Sequence, residues 1–264
     1  MRKPMTPDEI RRRKENALMK LASFDAPRNS TGLENYQNIR FKDVTVAKLR
    51  EQYKTVWDKA GVFRVCFAGT GASVERTDRG SLINLPTHGW DNKLISALLL
   101  HELGHVLFTD SNLWADAVIR NGSSHALHQC INAFEDVRIE RELVGSGYVG
   151  NAAQIFEKLN QHQVSEFSLQ TLKNTQNIAF VIRLIASGAT ITVPANYVET
   201  VREGVRLCEL LKTTQDSIDA GLWLSRELKQ LEVEEMAREK RQLLEDLKMY
   251  GRVRPTNVWR RKAA

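Results

Sequence analysis

The sequence has few of the features that mark secreted, disulfide-bonded or membrane-spanning proteins. Its three cysteines, Cys66, Cys130 and Cys208, form no Cys-x-x-Cys pair, and their odd number argues against a disulfide framework. No apolar run approaches the roughly 18–20 residues that a membrane span needs. A charged segment at residues 11–14 lies where a signal peptide would be apolar. We therefore expect a cytoplasmic protein with no membrane association.

Two common patterns of nucleotide and nucleic-acid binding are also missing. Gly69-Thr70-Gly71 lacks the following Gly or Lys-Ser/Thr of a phosphate-binding loop, so it predicts a turn. The net charge of +6 comes from the two ends of the chain. Residues 1–20 hold seven Lys/Arg and three Asp/Glu, residues 251–264 hold five Lys/Arg and no acid, and the chain between them sums to −3. Because Trp259 is the single aromatic residue within these two basic segments, they lack the interleaved aromatic residues of a single-strand binding surface. Nucleic-acid binding through the termini is therefore only a secondary expectation.

The length of 264 residues predicts one domain with extensions. We expect an N-terminal helical and basic extension at residues 1–39, a main domain at 40–215, and a charged helix with a basic tail at 216–264. Short β-type runs between residues 62 and 85 lie among segments of helical periodicity. The predicted fold class is α+β, mostly helical with a small mixed sheet.

The most informative stretch is His101-Glu102-Leu103-Gly104-His105, which lies within an apolar, helix-compatible run. On a helix, His101 and His105 project from one face about one turn apart. Two imidazoles at that spacing can hold one tetrahedral zinc ion. Glu102 lies about 100° round the helix, so it is a candidate general base for a metal-bound water rather than a ligand.

The alternative interpretation of this stretch is a buried helix whose histidines bond to backbone groups. Two ionisable histidines and a glutamate are costly in an apolar helix without a compensating partner. A metal ion is the less costly explanation.

A third ligand is expected from a second long helix that begins near His125, with Ser123 or Ser124 as its cap. One predicted face has 4-3-4 spacing and comprises His128, Asn132, Glu135 and Ile139. Glu135 is the preferred third ligand. Asp136 is an alternative, either as a ligand or as a hydrogen-bond acceptor for a ligating imidazole, and His128 is another.

Two further candidates complete the predicted site. Arg138 could stabilise a developing oxyanion, although Arg138 and Glu140 could equally form pairs on the helix surface. Leu82, Ile83 and Asn84 lie in a strand just before the zinc helix, which ends at Pro86. As an exposed edge, that strand would bind an extended substrate by strand addition; otherwise it is an ordinary sheet strand.

The segments His101–Asp110 and Asn132–Glu140 together resemble the zincin-type, gluzincin-like metallopeptidase-like domain of phage and bacterial proteins related to the CobT cobaltochelatase subunit. The resemblance implies a zincin-like fold with the His-Glu-x-x-His motif on the active-site helix, and it supports Glu135 as the third ligand. Such domains commonly precede a von Willebrand A module and work beside an AAA+ ATPase. No Asp-x-Ser-x-Ser motif of that module is present here.

The expected function is that of a zinc metallopeptidase that cleaves a protein or peptide substrate as an endopeptidase. His101, His105 and Glu135 would bind Zn²⁺, and Glu102 would activate the attacking water. The alternative function is a catalytically silent metal-binding module that binds an AAA+ ATPase or a virion partner. A phage origin would place the protein in the host cytoplasm or the virion.

Overall fold

The computed structural model describes residues 40–41, 44–61, 63–68, 71–77, 80–87, 90–166 and 176–252. The helical and basic extension expected at residues 1–39 and most of the basic C-terminal tail lie outside these ranges. The described residues are mostly helical with a small mixed sheet, which confirms the α+β class. They belong to two compact units, the first ending at Leu224 and the second beginning at Ser225.

The described helices and strands follow one another in this order: β1 Arg40–Phe41, β2 Val44–Thr45, α1 Val46–Gln52, α2 Lys54–Ala60, β3 Phe63–Phe67, β4 Ser73–Thr77, β5 Gly80–Leu85, α3 Asn92–Phe108, α4 Ser111–Arg120, α5 His125–Ser146, α6 Ala152–Glu166, α7 Gln176–Ala186, a 3₁₀ turn Ala195–Tyr197, α8 Val198–Leu210 and α9 Thr214–Arg252. Within the described ranges, no helix has the length together with the apolar character needed to cross a membrane.

Strand β5 is the middle strand of the β3-β5-β4 sheet. It pairs in parallel with β3 and antiparallel with β4, and alternate β5 residues, Ser81, Ile83 and Leu85, are buried. The prediction that residues 82–84 form an exposed edge is therefore wrong. Since strands pair with β5 on both sides, its backbone is not available to a peptide.

Helix α3 lies at the centre of the first unit because it is apolar on most of its sides. It is buried continuously from Ile95 to Gly104, and its leucines share a core with residues of α2, β5 and α6. The Asp91 side chain caps its start by accepting a hydrogen bond from the Leu94 N–H at 2.8 Å. The chain therefore carries the His-Glu-x-x-His motif into the core.

Helix α5 crosses α3 closely at the glycine of that motif. A Cβ placed on Gly104 would lie 2.8 Å from Leu143 Cδ1 and 3.1 Å from Ile139 Cδ1. As expected, the Ser124 side chain caps the start of α5, and Gly147 ends it in the left-handed conformation at φ 67°. The small residue at position 104 brings the α5 side chains within reach of both histidines.

The first turns of α9 pack within the first unit. Ile218 shares a small core with Val118 of α4 and with Leu127 and Ile131 of α5. A Cβ on Gly221 would lie 2.6 Å from the Ile131 Cα. The division between the two units falls inside α9, between Leu224 and Ser225.

We predict that Gly221→Ala lowers the free energy of unfolding by about 1–3 kcal/mol, because the added methyl group meets the α5 backbone. The matched control is Gly145→Ala in α5, where a Cβ has no neighbour within 4 Å. That change should be neutral or stabilising by up to about 1 kcal/mol, through helix propensity alone. Urea denaturation of both variants measures the difference. Equal effects of the two changes would contradict the close approach of α9 to α5.

Candidate metal centre

Two helices bring three potential ligand atoms together. Helix α3 supplies His101 and His105, helix α5 supplies Asp136, and the three ligand atoms lie within 4.8 Å of one another. Asp136 Oδ1 is 3.1 Å from His105 Nε2 and 3.5 Å from His101 Nε2. Two imidazole nitrogens and a carboxylate oxygen form a donor set that suits Zn²⁺.

The second nitrogen of each imidazole is held by a different neighbour. His101 Nδ1–H donates to Glu140 Oε1 at 2.8 Å, and His105 Nδ1 lies 3.0 Å from the Thr109 hydroxyl. A histidine that donates from Nδ1 has its Nε2 lone pair available for a metal ion. The hydrogen bonds of both rings are therefore compatible with metal binding at Nε2.

Arg183 of α7 fixes both carboxylates of the cluster. Its Nε lies 3.2 Å from Asp136 Oδ2, and its Nη2 donates to Glu140 Oε1 at 2.8 Å. The Asn132 amide also donates to both Asp136 oxygens at 3.1 Å. Sequence analysis missed Arg183, although a lone cation in the apolar run at residues 178–186 was the available signal.

The side chains of α5 that reach or approach the cluster are spaced four residues apart. This face comprises His128, Asn132, Asp136 and Glu140, so Asp136 occupies the place at the histidines that was predicted for Glu135, and Ile139 packs against Gly104. A spacing of four keeps side chains on one side of a helix for several turns. Glu140, which could have been a surface residue, is 6% exposed and bonds to His101.

The structure does not bring Glu135 to the histidines. Its carboxylate is fully buried and accepts hydrogen bonds from Arg138 Nε at 2.8 Å, from Arg138 Nη2 at 2.6 Å and from the Thr214 hydroxyl at 3.1 Å. Since Arg138 also donates to the Phe108 carbonyl, this ion pair joins α5 to the ends of α3 and α9. Glu135 and Arg138 are thus placed as structural partners, and the predicted ligand and oxyanion roles are not supported.

The remaining candidates lie beside the cluster. Glu102 is 5% exposed and interacts electrostatically with both histidines and with Asp136, and burial raises its pKa. The His128 ring lies 5.4 Å from the Trp114 ring, and burial lowers the pKa of this histidine. His128 is outside the group of atoms that could hold a metal ion.

The buried carboxylates of the cluster are stabilised by positive charge. Burial alone would raise the pKa of Asp136, but Arg183 and His101 hold it well below its usual value. Burial lowers the pKa of His101, yet Asp136 and Glu140 outweigh that effect and raise it to about 10. Positive charge beside the imidazoles therefore balances the buried carboxylates of Asp136 and Glu140, either as a proton on His101 or as a metal ion that takes its place.

No protein-family model matches this chain, and comparisons with curated proteins and with solved structures found no similar protein. The interpretation of the centre therefore depends on its own geometry and charge.

We predict that Glu140→Gln weakens zinc binding by about 10–100-fold, the usual effect of removing the acceptor behind a ligating imidazole. Competition with a coloured chelator measures the dissociation constant. Glu199→Gln is the control, because Glu199 forms a solvent-exposed pair with Arg202 and should leave zinc affinity unchanged. An unaltered affinity in Glu140→Gln would show that the bond to His101 does not prepare the site for metal.

Proposed function

We propose that this chain is a zinc-dependent hydrolase of the zincin type that cleaves peptide bonds. The observation that carries the proposal is the convergence of His101 Nε2, His105 Nε2 and Asp136 Oδ1 beside the buried carboxyl of Glu102. Three protein ligands are typical of catalytic zinc, which keeps a position for water or substrate, whereas structural sites are usually closed by a fourth ligand.

His101, His105 and Asp136 would hold the zinc ion. When bound, zinc would polarise the substrate carbonyl and make water a better nucleophile near neutral pH. Glu102 takes the proton of the attacking water on its carboxylate and delivers it to the leaving amine. Glu140 and Thr109 keep the imidazoles oriented during this transfer, and Arg183 holds Asp136 and Glu140 in place.

A peptide substrate is supported by the position of strand β4. Among the described strands, β4 pairs on one side only, with β5. Arg76 of β4 donates to the Val106 carbonyl of α3 at 2.8 Å and to the Ser81 hydroxyl at 2.7 Å. Strand β4 therefore has one edge unpaired among the described strands, and it is hydrogen-bonded to the helix that carries the histidines. An extended peptide can pair with such an edge. We propose β4 in place of β5 as the substrate strand.

The burial of the cluster favours a second candidate, the catalytically silent metal-binding module. Asp136 is 4% exposed and His101 is 6% exposed, and a metal in such a site can stabilise a fold without meeting a substrate. The partner of such a module would be a protein, such as an ATPase or a virion component.

The deciding variant is Glu102→Gln, assayed with zinc-loaded protein on a mixed library of unstructured peptides. We expect zinc content to be retained and cleavage to fall by about 10²–10⁴-fold, because the proton acceptor is lost. Cleavage at the wild-type rate would exclude Glu102 as the base. If wild type cleaves nothing and a chelator lowers only its melting temperature, the silent module is correct. Glu199→Gln again serves as the matched control.

A further inference from the structure

A second candidate site lies at the opposite end of α3 from the histidines. A cleft of about 360 Å³ is bounded by α1, by the first turns of α3, by Asn151 and by α6. Its volume lies near the lower end of the range of about 300–1,000 Å³ for small-molecule sites. All of its lining residues belong to the first unit.

The rim of this cleft is positively charged. Lys48 of α1, Lys93 of α3 and Lys158 of α6 line the cleft, and none of the described residues that line it is Asp or Glu. The Asp91 carboxylate caps the first turn of α3, so the lysines rather than the helix terminus supply the attraction. The lysines of two different helices, Lys93 and Lys158, suit an anion of more than one charge, and lysine binds phosphate as a point charge.

The floor of the cleft is mostly apolar but also carries hydrogen-bonding groups. Leu49, Leu94 and Ile155 provide the apolar surface. The buried hydroxyls of Tyr53 and Ser96 lie 2.7 Å apart, so one of their two protons is donated within the pair and the other remains to be donated elsewhere.

One further group on this lining has an unmet hydrogen bond. The Asn92 Oδ1 atom is buried and has no hydrogen-bond partner among the described residues. Buried polar atoms are nearly always paired. This acceptor adds to the polar part of the lining, beside the hydroxyl pair of Tyr53 and Ser96.

From these features we propose that the cleft binds a small phosphomonoester with an apolar body. The phosphate lies beside Lys93 and Lys158, and the apolar body lies on the leucine and isoleucine floor. This site uses the Asn92–Ala97 end of α3, whereas the candidate metal centre uses His101 and His105. The proposal therefore does not depend on the proposed hydrolase activity.

Phenyl phosphate is the probe, titrated into the full chain and followed by calorimetry and by the amide resonances of Asn92–Ala97. The titration is repeated after EDTA treatment, which removes any binding of phosphate to a metal. We expect saturable binding that survives EDTA and shifts those resonances. Inorganic phosphate lacks the aromatic ring of the probe, and benzyl alcohol lacks its phosphate group. Each should bind at least about tenfold more weakly than phenyl phosphate.

The variant test is the double substitution Lys93→Gln and Lys158→Gln, with Lys229→Gln as a control for an exposed lysine elsewhere. The double variant should bind phenyl phosphate at least about tenfold more weakly, and the control should bind it like wild type. Absence of binding, loss of binding with EDTA, or equal weakening in the control would overturn the proposal. Hydrocinnamate carries a carboxylate in place of the phosphate group. If the protein binds hydrocinnamate more tightly than phenyl phosphate, the assignment of the ligand as a phosphomonoester is overturned.

Discussion

The ion pairs that Arg183 makes with Asp136 and Glu140 are the interaction on which the rest of the site depends. Both carboxylates are buried, and each faces an imidazole of α3 on its other side. A buried charge without its partner typically costs about 3–5 kcal/mol, so the guanidinium fixes the relative positions of α5 and α7. The ion pair between Arg183 and Asp136 also orients the Asp136 carboxylate, which would bind the metal ion.

Helix periodicity makes this arrangement possible. His101 and His105 are four residues apart on α3, and Asn132, Asp136 and Glu140 repeat the same spacing on α5. Because Gly104 lets the two helices approach closely, these rows face each other at hydrogen-bonding distance. Each imidazole thus has one nitrogen directed to Asp136 and the other to a separate oxygen, that of Glu140 for His101 and that of Thr109 for His105.

The parts of the site that depend on local sequence could be predicted. The spacing of His101 and His105 and the Ser124 cap both follow from short-range rules. The choice between Glu135 and Asp136 could not be made in the same way, because both are buried and adjacent. Residues far away in the sequence determine which carboxylate faces the histidines. Thr214 holds Glu135 beside Arg138, and Arg183 holds Asp136 beside the histidines. The central position of β5 likewise depends on parallel pairing with β3, which no local pattern encodes.

The most direct test is zinc stoichiometry by elemental analysis for folded wild type, Asp136→Asn and Glu135→Gln, purified in parallel with circular dichroism as the check on folding. The account predicts about one zinc ion per chain in wild type and in Glu135→Gln, and loss of zinc in Asp136→Asn. Loss of zinc in Glu135→Gln with retention in Asp136→Asn would contradict it. So would a folded wild type that takes up no zinc when the metal is supplied.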